Sequence, residues 1–237
     1  RKWFSLFYFP FDSYYFILVI PAILLSMWAQ SKVQSTFSRY QRVHAASGLT
    51  GCDVARRILD ENGLYDVRVE RIAGSLTDHY DPGARVVRLS ESVWGSGSVA
   101  ALGVAAHETG HAVQHAQHYA PLTVRNAVIP ITNFGAKLSM PLLMIGLLLG
   151  YPSLVSLGIL AFSLVTFFQL ITLPVEYNAS SRAMRTLVDG HILRDEQEID
   201  GTRRVLSAAA LTYVAALIVS AAQLLRLILL FGRRRRD

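Results

Sequence analysis

The sequence predicts an α-helical integral membrane protein carrying a small α+β domain, mainly α with a short antiparallel sheet. Three observations predict it. Hydrophobic residues make up 52% of the 237-residue chain against 17% charged, and the apolar excess is gathered into blocks. These blocks approach the ~20 residues a helix needs to cross a hydrocarbon layer about 30 Å thick. Between them lie polar stretches with alternating strands, turn signals and one helix that carries His107-Glu108-Thr109-Gly110-His111.

Taken in order, Arg1 to Ser13 is aromatic, is interrupted by Pro10 and Asp12, and lacks a small-residue cleavage site after it, so it reads as an interfacial belt. Tyr14 to Ala29 is nearly all apolar and is closed by Trp28, Gln30 and Lys32; residues 1–31 are thus the belt and a first transmembrane helix. Residues 32–125 form an aqueous segment. It opens with a basic stretch, then Thr50-Gly-Cys-Asp53 forms a capping box ahead of an amphipathic helix that Gly63 closes. Val67-Arg-Val69 and Arg85-Val-Val-Arg-Leu89 alternate on either side of the turn Asp81-Pro-Gly83 and predict an antiparallel pair. Ser98 to Gln117 is proline-free and rich in Ala, Val and Leu, a helix buried on one side.

Residues 126–173 read as a transmembrane hairpin, with spans over 128–149 and 154–173 broken at Gly150-Tyr-Pro-Ser153; Lys137 in the first must face protein, water or the interface. Pro174 marks a new helix or a break, so residues 174–204 form a second aqueous segment bounded by Gly190 and Gly201. Residues 205–237 are a fourth apolar helix, containing Gln223 and Arg226, and a tail of four arginines. That last helix crosses fully or only in part, since Arg226 and the tail burden it.

The net charge is +6, but the arginines flank apolar runs and form no aromatic-interleaved patch, which points to the lipid bilayer as partner and away from nucleic acid. The single cysteine, Cys52, rules out an internal disulfide and a Cys-type metal site.

On a helix, His107 and His111 lie one turn apart on one face, where both imidazoles can hold a single Zn²⁺ with Glu108 beside it as general base. Catalytic zinc takes three protein ligands and keeps one position open, so a third ligand is needed. Gln114 and Gln117 stand where a metzincin would have a glycine and a third histidine. His115 and His118 are off that register and read as supporting or surface residues. Glu91, Glu196 and Glu198 read as ordinary solvated charges. Glu176 is the best candidate, because it follows a hairpin that returns the chain to the membrane face it left; the competing reading pairs it with Arg182 or Lys137.

Ser47-Gly-Leu-Thr-Gly51, Asn62-Gly-Leu-Tyr-Asp-Val67, Asp78-His-Tyr-Asp-Pro82, Ala105-Ala-His-Glu-Thr-Gly-His111, Leu173-Pro-Val-Glu-Tyr-Asn-Ala179 and Ala208-Ala-Ala-Leu-Thr-Tyr213 together make the chain resemble the YugP-like neutral zinc metallopeptidases of bacterial membranes, and more distantly the HtpX-type membrane proteases. The resemblance covers nearly the whole chain. It implies a gluzincin-type zinc peptidase in which His107, His111 and Glu176 are ligands and Glu108 is the catalytic base. HtpX-type proteins have an aspartate four residues after the ligand glutamate to orient a histidine. Here that place holds Ser180, and Asn178 is the expected orienting partner. His79, Tyr80, His191 and Tyr213 are possible donors to the oxyanion.

The expected activity is hydrolysis of peptide bonds in a peptide or membrane-protein substrate, with zinc as cofactor. The resemblance implies the bacterial inner (plasma) membrane; the cation count near the span ends favours a cytoplasmic active site, an orientation that leaves Arg1, Lys2 and the arginine tail outside. The alternative is a non-proteolytic membrane scaffold with a peptidase-like fold. A metal relay through His107, His111, His115 and His118 is disfavoured, because that helix lies on the aqueous side and the spans hold few ionisable groups.

Overall fold

A computed structural model describes residues 12–231, so most of the N-terminal belt and the arginine tail lie outside the described residues. After a π-helical turn at Tyr15–Val19 come α1 (Ile20–Tyr40), α2 (Gly51–Glu61), β1 (Arg68–Ile72), β2 (His79–Asp81), β3 (Val86–Ser90) and α3 (Glu91–Trp94). Four long helices complete the chain: α4 (Val99–Ala116), α5 (Ala120–Leu149), α6 (Pro152–Asp189) and α7 (Glu196–Phe231). Among the described residues four helical stretches are long and apolar enough to cross a membrane, namely Tyr15–Tyr40 and the whole of α5, α6 and α7.

The described residues divide into two compact units, one of 12–29, 124–173 and 212–231, the other of 30–123 and 174–211. In the first unit the outward side chains are large and apolar, among them Ile17, Leu24, Trp28, Phe134, Leu148, Leu160 and Phe167. Such a surface would be an aggregation hazard in water and is the expected face toward lipid. Small residues let α5 and α6 approach closely: a Cβ on Gly146 would stand 2.8 Å from the Val155 nitrogen, and one on Gly158 3.0 Å from the Ser139 carbonyl oxygen. Ser139 Oγ donates to the Gly158 carbonyl at 3.0 Å. Lys137 is exposed.

In the same unit Arg226 is 3% exposed, and its Nε and a terminal nitrogen donate to Asp12 Oδ2 at 2.8 and 2.6 Å. Its guanidinium also lies 5.1 Å from the centre of the Tyr15 ring. The last apolar segment is therefore one uninterrupted helix that carries its arginine as one half of an ion pair.

Two expected helix breaks are absent, although the division into units does fall between Leu173 and Pro174. Pro174 lies inside α6 and Gly201 inside α7. A proline in a helix interior costs about 3 kcal/mol, whereas a break there would strip four carbonyls and four N–H groups of their partners near a membrane. Continuity is cheaper.

The second unit holds the sheet, whose order is β1-β3-β2. β1 runs parallel to β3, with Arg68 opposite Val86 and Ile72 opposite Ser90, and β2 runs antiparallel to it, with Tyr80 opposite Val87. The all-antiparallel expectation is thus corrected: the Asp81 turn joins β3 to the short β2, not to β1. Asp81 Oδ1 accepts from the Gly83 and Ala84 nitrogens, both at 3.0 Å, closing that turn. β3 takes the centre because Val86, Val87 and Leu89 are all fully buried, and charged β1 is left at an edge. The core beneath the sheet joins α2 and α4 through Val54, Leu59, Leu89, Val93 and Leu102. Thr50 and Asp53 form the capping box of α2, and Gly63 follows it at φ +70°.

Glu198 also departs from expectation. It is 3% exposed, and its carboxylate accepts from the backbone nitrogens of Ala46 and Arg194, each at 2.6 Å, tying the start of α7 to the loop after α1.

The ion pair yields a stability prediction. Replacing Arg226 by Met strands the Asp12 carboxylate and should cost about 3 kcal/mol, while adding Asp12→Leu should recover most of the loss. Thermal unfolding of the detergent-solubilised chain measures both.

Candidate metal centre

The second unit contains the site. α4 begins at Ser98, whose hydroxyl accepts from the Ala101 nitrogen at 3.2 Å, and runs with nearly every residue before His107 buried. Its helical period turns His107 and His111 to one side, their rings 4.8 Å apart and edge to face. α6 crosses this face. Gly110 permits the approach, since a Cβ there would stand 3.1 Å from the Ala179 carbonyl oxygen. Farther along α4, a Cβ on Gly103 would meet the Thr202 methyl at 2.9 Å, so α7 also packs close.

The crossing delivers Glu176, 69 residues after His107, with Oε2 at 3.2 Å from His107 Nε2 and 3.5 Å from His111 Nε2. One ligand atom from each residue lies within 4.8 Å of the others. A tetrahedral zinc with bonds near 2.0–2.1 Å has ligand-to-ligand edges of about 3.3 Å, so both carboxylate-to-imidazole separations suit one shared ion. Two imidazoles and a carboxylate without thiolate form a donor set suited to catalytic zinc with one open position. Glu176 is 3% exposed and His111 8% exposed, and a carboxylate so buried requires a positive partner. The pairing of Glu176 with Lys137 or Arg182 is not what the described residues form: Arg182 turns instead to Asn178 and Gln117, at 2.7 and 2.8 Å.

The far nitrogens of both rings are held. Gln114 Nε2 donates to the Val175 carbonyl and to Asn178 Oδ1, both at 2.9 Å, which leaves its Oε1 to accept from His111 Nδ1 at 3.0 Å. His111 Nδ1 must then carry the proton, and the Nε2 lone pair faces Glu176. His107 Nδ1 lies 3.1 Å from Ser180 Oγ, and the same tautomer makes it the donor. Asn178 therefore stands one hydrogen bond farther back than expected, holding Gln114 and not a histidine. Ser180 occupies the orienting place directly. Sequence reading missed Gln114 as a functional residue; the i, i+3 spacing from His111 on one helix was the available signal.

Glu108 is half-buried beside the pair, and its Oε2 accepts from the Tyr80 backbone nitrogen at 3.1 Å. Burial alone would depress the His111 pKa, but in the doubly protonated ring a hydrogen bond from Nε2 to Glu176, with the charges of Glu108 and Glu176, outweighs it and raises the value. Asp78, whose carboxylate accepts from the backbone nitrogen and hydroxyl of Ser90, has its pKa raised by burial, with a smaller push from Glu108.

The other named residues lie elsewhere. Tyr80 hydroxyl and His115 Nδ1 are 2.9 Å apart, so both are engaged with each other. His118 is exposed in the turn after α4. His79 Nδ1 donates to the Thr77 carbonyl at 2.9 Å, and His191 lies in the turn after α6 at φ +52°. Tyr213 belongs to the other unit.

A family model described as "Putative neutral zinc metallopeptidase" matches residues 15–232. The "Putative membrane protease YugP" of Bacillus subtilis (strain 168) is 53% identical over 217 residues, which is 92% of this chain and 96% of that protein. No solved structure matches.

Two predictions follow from the geometry behind the rings. Gln114→Leu and Ser180→Ala should each weaken zinc binding by roughly 10- to 100-fold with the fold intact, read by chelator competition and circular dichroism. Protons and zinc compete for the same Nε2 lone pairs, so because the His111 pKa is raised, affinity should begin to fall with acidification above the ordinary imidazole value of 6.5. A zinc titration across pH checks the onset.

Proposed function

The chain belongs to this neutral zinc metallopeptidase family, and from that membership we propose a gluzincin-type endopeptidase of the membrane that cleaves peptide bonds in a peptide or membrane-protein substrate. Zinc is its metal. The observation that carries the reading is the approach of one Glu176 oxygen to both Nε2 atoms of an H-E-x-x-H helix.

In this mechanism His107, His111 and Glu176 hold the metal, Ser180 and Gln114 keep both imidazoles in the ligating tautomer, and Glu108 is the base. Zinc supplies a lowered pKa for water and polarisation of the scissile carbonyl. Glu108 takes a proton from the attacking water as its oxygen bonds to the carbonyl carbon. The C–N bond then breaks, and Glu108 returns that proton to the departing amine. Burial around the centre excludes bulk water and strengthens each of these electrostatic contacts.

β2 is the strand we assign to substrate binding. It is an edge strand, and the Tyr80 N–H points to Glu108 on α4 instead of into the ladder with β3. An extended peptide could add alongside that edge, next to Glu108. Lys32, Arg39, Arg42, Arg182, Arg185, Arg203 and Arg204 all belong to the unit that holds the site, which supports a cytoplasmic orientation in a bacterial inner membrane.

Glu108→Gln should reduce cleavage of a peptide library by about 10²- to 10⁴-fold while zinc content stays at the wild-type level. His107→Ala and His111→Ala should lose both. A Glu108→Gln chain with undiminished turnover would put another base in its place, and a zinc-loaded wild-type chain that cleaves nothing in the library would leave the scaffold reading.

A further inference from the structure

A second concavity, away from the metal centre, lies between α1 and α7 and encloses about 550 Å³. Lys32 and Arg39 reach it from α1, Arg203 and Arg204 from α7, and Ser35, Ser207 and Leu211 also line it. Its wall is fixed by a close approach. A Cβ on Gly201 would stand 2.8 Å from the Tyr40 ring, so that ring lies on bare α7 backbone, and the Arg39 guanidinium sits 5.6 Å from the ring centre.

The charge is unbalanced. Arg204 pairs with Asp200 at 2.6 Å, but among the described residues Lys32, Arg39 and Arg203 have no ion-pair partner. Cations gathered around one concavity repel each other unless an anion joins them. Their position along the helices narrows what that anion is. Lys32 follows the end of the first apolar run at Ala29, and Arg203 and Arg204 immediately precede the run that starts at Val205. Both helices therefore present these cations where the chain passes from water to lipid, at headgroup level. Ala208 and Leu211 continue the lining along the apolar side, a surface of use to a glycerol backbone and the start of an acyl chain and of none to an inorganic ion.

We propose that this pocket binds the phosphodiester headgroup of an anionic membrane lipid. Lys32, Arg39 and Arg203 meet the phosphate oxygens, the Ser207 hydroxyl donates to the headgroup, and Leu211 lies against the apolar part. The assignment is independent of the peptidase chemistry, since none of these residues touches the metal centre.

The test titrates the full chain in neutral detergent with phosphatidylglycerol, phosphatidylcholine or inorganic phosphate, with bound species read by native mass spectrometry. Phosphatidylglycerol should bind at least about tenfold more tightly than phosphatidylcholine, and Lys32→Gln with Arg203→Gln should lower its affinity by about fivefold per charge removed. Arg57→Gln with Arg71→Gln removes the same charge from elsewhere on the unit and should preserve the preference. Equal affinity for the two lipids, or equal losses in the two double variants, would overturn the proposal. Displacement of phosphatidylglycerol by inorganic phosphate at concentrations below those at which the lipid binds would overturn it in favour of a free anion. Wild-type zinc content in each variant verifies that the fold is intact.

Discussion

The structure depends on a carboxylate that water does not reach. Glu176 is 3% exposed, and removing a charge from solvent is costly unless another positive or electrophilic group stands against it. Two groups that face its Oε2 at short distance are the Nε2 atoms of His107 and His111 on α4, at 3.2 and 3.5 Å. Much of the second unit serves that juxtaposition. Gly110 lets the backbone of α6 come close, and Gln114 fastens α4 to the Val175 carbonyl one residue before Glu176. Arg182 then steadies Asn178, which steadies Gln114. A loosening anywhere in that series is felt as a change in the spacing of three ligand atoms, and metal affinity depends on that spacing within tenths of an ångström.

The groups behind the rings are neutral, an amide and a hydroxyl. Neutral acceptors fix orientation and tautomer but donate less electron density to an imidazole than a carboxylate would. The centre therefore derives its negative charge from Glu176, with Glu108 nearby. Asn178 was the partner expected to orient a histidine; the hydroxyl of Ser180 lies against His107 Nδ1 instead, and Asn178 acts through Gln114.

How much of this was legible follows from the range of each interaction. The H-E-x-x-H pair was plain because a helix brings i and i+4 together with no help from the rest of the chain. Glu176 could be named by topology, since two apolar runs must go out and come back. Its distance from the rings could not be known, because that is set by the contact of Gly110 with Ala179, a tertiary fact. Gln114 sat in view and was weighed only as the absent glycine of another motif; its role depends on Val175 and Asn178, which the sequence sets far away. The parallel pairing of β1 with β3 was hidden because the strand that belongs beside the Asp81 turn is three residues long, too short for a period to register. Pro174 and Gly201 misled because local breakers were read without the cost of opening a helix near lipid. Glu198 looked solvated because the two backbone nitrogens it caps include Ala46, 152 residues away.

The aqueous unit is assembled from two separated stretches, residues 30–123 and 174–211, and its ligand set is shared between them. No single contiguous piece of chain outside the bilayer contains both imidazoles and the carboxylate. Shedding by a sheddase, or truncation to a secreted form, would sever Glu176 from His107 and His111 and leave neither fragment competent. The ligand set and the apolar helices are therefore inherited together, because the stretch that carries Glu176 follows the one that carries the imidazoles only after residues 124–173.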